Sequence, residues 1–202
     1  MLHCEFPLGR PLGKPRDPAF QHQVLNAAFA LLDRTDAPVL VDFPEVIAES
    51  GDSPLACAIP LRDEPTLHPA IAEVLGLRAA YERQRASTGR TLCTRAGGPD
   101  NVRANVEAFL RIASGTPLDE AGFDAAQVGP AALDVRAYFE EAALGLSDHV
   151  PAARQAESWF YRTTRTGLVL REARAAIVAA DGPRGAWFPM VPVGQPTSTE
   201  AT

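Results

Sequence analysis

Arginine, tyrosine, glutamate and histidine gather in one part of the sequence. Arg136, Tyr138, Glu140 and Glu141 precede His149, and Arg154, Glu157, Ser158, Tyr161, Arg162 and Arg165 follow it. Arg154, Glu157 or Ser158, Tyr161 and Arg165 recur every three or four positions, so on a helix they share a face. Turned inward, such a face binds a carboxylate or phosphate, because guanidinium forks match planar anions. Turned outward, it is a solvated helix surface supported by Arg–Glu pairs one turn apart. The residues leave both readings open. The candidate ligand-binding residues are Arg136, Tyr138, Arg154 and Arg165. The candidate catalytic groups are Cys93, His149, Glu157 and Tyr161.

Other chemistry is thinner. Metal sites in helical bundles draw a Glu-x-x-His pair from each of two helices, and neither that pattern nor His-x-x-x-His occurs, so no metal is assigned. A nucleophilic cysteine needs a thiolate held by a cation or a helix N-terminus. Cys93, with Arg90 and Arg95 nearby and a helix start following, meets that description best of the three cysteines. Its plain alternative is a small apolar residue in a connector. Gly97-Gly98 can seat an anion on the amides of the next helix, but no Walker or Rossmann pattern surrounds the pair. His68 and His149 both immediately precede helices, where capping competes with catalysis as a role. No cofactor is assigned.

The elements that carry these residues are mostly helical. Asp148 to Gly182 reads as one long rod: Asp148 as N-cap, Pro151 in the first turn, and Gly182-Pro183 as the stop. Ala152, Ala156, Trp159, Thr163, Gly167, Leu170, Ala173 and Ile177 form its apolar face. Gly167 then marks a packing contact or a kink. Further helices are expected at about 69–87, 99–114 and 131–146, the last starting after Pro130. Trp187–Val193 is expected to lie extended across the bundle and to bury Trp187 and Phe188. Near the start, Leu2–Phe6 suits a strand, Asp17-Pro18 opens an amphipathic helix reaching about Arg34, and Pro38–Phe43 is extended.

The reading is a mainly α protein: a helical bundle packed around one long C-terminal helix, with a short extended N-terminal segment. Its organisation is a strand–loop–helix appendage (1–45), a linker rich in Pro, Asp, Glu and Ser (46–66), an α-helical domain (67–195) and a frayed tail (196–202). A single strand with one further extended run makes no stable sheet unaided, so strand addition to a partner or a second copy is expected.

Composition narrows the class. The 202 residues are 46% hydrophobic and 22% charged, as in folded globular proteins. A net charge of −6 argues against a dedicated nucleic-acid binder. No apolar run reaches the length of a membrane span, and the opening MLHCEFPLGR lacks the basic and apolar regions of a secretory signal. Three cysteines at unrelated spacings suggest neither a disulfide framework nor a redox motif, so reduced thiols in a cytoplasm are expected.

The run FPLGRPLGKPRDPAFQHQVLNAAFALL, with VDFP after it, resembles the C-terminal end of the B-subunit family of glycine, sarcosine, betaine and D-proline reductases. That family closes with a strand, a PxGxPLGxP-like loop and an amphipathic helix, matched here by Phe6 to Pro15 and Asp17 to Leu32. The match covers about residues 3–45. The family's redox selenocysteine or cysteine lies upstream of this segment and Cys4 does not correspond to it, so no catalytic residue carries over. The resemblance implies a subunit of a reductase-like oxidoreductase assembly, acting through a protein partner that holds the redox part, or through self-association. The alternative is a self-contained helical enzyme or binding module for a small anionic ligand.

Overall fold

The computed structural model describes residues 1–6, 11–14, 17–36, 38–45, 47, 55, 57–60, 66–147, 151, 153–192 and 194–195, with the side chains of 153 and 154 left aside. The chain divides into two compact units, Met1–Ser53 and Pro54–Thr202. No helix among the described residues is long and apolar enough to cross a membrane.

The first unit is a small β-α-β arrangement. Strand β1 (Leu2–His3) pairs in parallel with β2 (Val41–Asp42), Leu2 facing Val41 and His3 facing Asp42. Between them α1 (Pro18–Ala30) begins as the sequence requires: Asp17 accepts the Phe20 amide at 3.0 Å and Pro18 occupies the first turn. A 3-10 turn (Leu31–Asp33) ends it. Phe6, Phe20 and Phe43 meet with ring centroids 5.7–5.9 Å apart, and Val24 completes a small buried cluster. Gly13 approaches so closely that a Cβ there would stand 2.5 Å from the Phe20 ring.

The second unit holds α2 (Pro69–Thr88), α3 (Val102–Ala113), α4 (Ala125–Leu146), α5 (Ala153–Thr163), α6 (Arg165–Ala179) and the single turn α7 (Arg184–Trp187). The result is the mainly α bundle expected, with a short extended N-terminal segment. Its most enclosed element is α4, which packs against α2, α3, α5 and α7. Val128, Ala131, Val135, Phe139 and Ala142 on α4 are fully buried. Close helix approach rests on glycine: a Cβ at Gly145 would come within 2.4 Å of the Ala80 carbonyl on α2. Leu55, Cys57 and Ile59, from the stretch read as a linker, pack on this core.

Three expectations change. The rod expected over 148–182 is two helices among its described residues, α5 and α6, divided at Thr164, and the expected N-cap Asp148 lies outside them. Thr164 takes an extended conformation, its hydroxyl accepting the Gly167 amide at 2.9 Å and donating to the Phe160 carbonyl at 2.7 Å. Gly167 is a close-packing position, since a Cβ would lie 2.0 Å from the Phe160 oxygen. Trp159 and Leu170 are buried all the same. Helix α4 starts six residues before the expected Ala131 and runs through Pro130, because Asp124 and Gln127 form a capping box. The tail expected to lie extended from Trp187 instead begins with α7 leading into a 3-10 turn (Phe188–Met190), with Val193 outside the described residues. Met190 and Val191 are buried there, while Phe188 is 50% exposed.

Candidate functional site

The helical unit brings several of the predicted residues together, as a closed ionic cluster. Arg136 on α4 points at α5, donating from Nε to Glu140 at 2.7 Å and standing 3.0 Å from Glu157. Glu157 also accepts from Gln195 at 2.9 Å, and Gln195 reaches Ser158 at 3.3 Å. Arg162 in turn donates to the Gln195 side-chain oxygen at 3.3 Å. Burial pushes the Glu140 carboxyl above its ordinary range while Arg136 pulls it down. Among the described residues Arg136 is thus committed to two carboxylates and not left open to an anionic ligand.

The tyrosines nearby serve the fold. Tyr161 is 1% exposed and donates to the Met190 carbonyl at 2.6 Å, tying α5 to the C-terminal turn. Tyr138 donates to the Val74 carbonyl at 2.9 Å and stacks on Tyr81 at 4.6 Å. Burial pushes both phenols up, so neither ionises near neutral pH. Arg165 begins α6 on the exposed side, and its amide donates to Glu73 at 2.7 Å. Arg154 lies on α5 with its side chain outside the described residues, and His149 lies outside them altogether.

Cys93 is fully buried, and its thiol is pushed up to about 12 by burial first and then by Asp134 and Glu141. Full burial and the raised thiol both favour the reading of Cys93 as a small apolar residue. His68 caps α2, its Nδ1 accepting the Ala70 amide at 3.2 Å. Among the described residues no group of three or more His, Cys, Asp or Glu side chains is placed to hold a metal.

Two buried carboxylates escaped the sequence reading, and they organise the unit. Asp134, fully buried on α4, accepts the amides of Thr94, Arg95 and Ala96 at 2.7–3.0 Å. The connector ahead of Gly97-Gly98 is thus an anion-binding loop, filled by the protein's own side chain. Glu141, two turns further on, accepts the Thr91 hydroxyl at 2.8 Å and the Leu92 amide at 2.6 Å. Glu73 on α2 accepts the Arg165 and Thr166 amides and the Thr166 hydroxyl at 2.7–2.9 Å, capping α6 from across the bundle. Burial raises the Glu73 carboxyl against the pull of those bonds. The available signal was local: each is a lone carboxylate in an apolar run, AIAEVLGL and AALDV.

The ionisable groups of this unit therefore act chiefly as latches between helices and loops. Compared with protein-family models, with curated proteins and with solved structures, the chain matches none.

Proposed function

We propose that this chain is a non-catalytic subunit of a reductase-like assembly, acting by association through its N-terminal unit. One observation carries the reading. Strands β1 and β2 form a two-stranded parallel sheet with two residues in each strand. Parallel sheets belong inside larger sheets with both faces covered, and two such short strands are insufficient alone. Adding strands from a partner extends the ladder and covers the unit. The apolar surface agrees: Met1, Phe29, Leu32 and Leu40, all of this unit, are 62–79% exposed. The class of assembly comes from the residue resemblance over about 3–45. The rival reading, a small anionic ligand held by Arg136, Tyr138, Arg154 and Arg165, meets an Arg136 already held by Glu140 and Glu157.

The test is complementation. The full chain is co-expressed with a reductase B-subunit truncated before its own closing strand, loop and helix. A one-to-one complex by native mass spectrometry is the expected result. Two species that migrate separately would overturn the reductase reading. A homodimer of the full chain alone would move the partner to a second copy.

A further inference from the structure

A second corner of the helical unit has the character that the Arg136 cluster lacks. Arg174 on α6 lies over the Trp187 ring at 4.9 Å, and Arg184 on α7 lies over the Phe188 ring at 4.8 Å. The two rings meet edge-on at 6.2 Å, so the two guanidinium–ring pairs adjoin. Neither side chain has an ion pair or hydrogen bond among the described residues, and Arg174 Nε is buried without an acceptor. Half of Phe188 faces solvent, and beside Gly185 nothing stands within 4 Å of where a Cβ would be.

We propose that this patch binds a small aromatic phosphate monoester. A guanidinium stacked on a ring is held in plane, with its N–H edge directed sideways and less conformational freedom to lose on binding. Two such cations, neither ion-paired among the described residues, suit a dianionic phosphate, whose oxygens accept the parallel N–H bonds. The exposed part of Phe188 supplies a surface on which a ligand ring stacks. The open space at Gly185 admits it. This inference does not depend on the association reading, since the patch lies wholly in the helical unit.

The experiment uses the full chain with phenyl phosphate, inorganic phosphate and benzyl alcohol as probes, followed by calorimetry and by Trp187 fluorescence. Trp159, the other tryptophan, is buried and serves as a constant background. Phenyl phosphate is expected to bind saturably and to weaken with salt, inorganic phosphate to bind more weakly, and benzyl alcohol not at all. R174Q and R184Q are each expected to lower phenyl phosphate affinity about tenfold or more. Phe188→Ala is expected to erase the advantage of phenyl phosphate over inorganic phosphate. R83Q, on an exposed arginine of α2, should change nothing. Lack of saturation up to about 10 mM phenyl phosphate would overturn the proposal. So would binding that survives both arginine substitutions, or an equal loss in R83Q.

Discussion

The two units treat their polar groups in opposite ways. In the helical unit, Asp134, Glu141 and Glu73 reach across to loop and helix-start amides, so buried charge and buried backbone satisfy each other. In the N-terminal unit, the sheet among the described residues has two strands of two residues each, and large apolar side chains stand in solvent. The first arrangement describes a body complete in itself. The second is the feature on which the proposed association rests. Burying a charge is tolerable only where its hydrogen bonds are made, whereas a short strand pair and exposed apolar side chains are features that a partner can cover.

The comparison is open to attack from the helical side first. Asp134→Ala orphans the amides of residues 94–96 and should cost about 3 kcal/mol or more in urea unfolding. The amide signals of α1 should stay in place by NMR. A loss below about 1 kcal/mol would mean that the connector finds other partners, and the latch reading would fail. Next come the close approaches. Gly167→Ala and Gly145→Ala should each cost about 2 kcal/mol, although alanine is by itself the better helix former. Gly185→Ala, with open space around it, should leave the melting temperature unchanged or slightly raised. If all three behave alike, backbone contact is not what those glycines provide.

A smaller effect should appear with pH. Glu73 and Glu140 both have carboxyls raised by burial, opposed by amide bonds to Glu73 and by Arg136 beside Glu140. The folded chain then keeps these protons to higher pH than the unfolded chain does. Stability contributed by the two sites is greatest at and below the ordinary glutamate range, falls as pH rises through their raised values, and is flat above. Urea midpoints for the wild type and for Glu73→Gln with Glu140→Gln should converge or part accordingly, the double variant losing the slope. An identical slope in both proteins would place the titrating groups elsewhere. The least effect on stability belongs to the N-terminal unit. Phe29→Ser with Leu32→Ser should move unfolding by no more than about 0.5 kcal/mol while abolishing the complex in the co-expression experiment. A stability loss as large as that of Asp134→Ala would make those side chains part of a core after all.

Local chemistry made much of this fold readable. Asp17-Pro18 opens α1, Pro69 opens α2, and Gly89 closes it in the left-handed conformation that glycine adopts without strain. The division at Thr164 was hidden because the apolar repeat keeps phase across it. Trp159 and Leu170 lie at helical spacing on either side, and periodicity alone cannot register a hydroxyl that ends one helix and caps the next. Pro130 masked the true start of α4, since a proline in an apolar run reads as a boundary even where a capping box has already begun the helix. At the candidate site, spacing correctly brought Arg136 to Glu140, and tertiary structure added Glu157. Whether a charged stripe is available to a ligand depends on what faces it. That is a property of the neighbouring helix and of Gln195, which no single helical repeat contains.

The bond from Glu73 to the start of α6 joins residues more than ninety positions apart. If the Glu73 carboxylate holds them throughout, those two amide protons trade with deuterium when α2 and α6 separate. Unlike the amides at an ordinary frayed helix end, they should exchange as slowly as the middle of the bundle, and so act as a clock for its global opening.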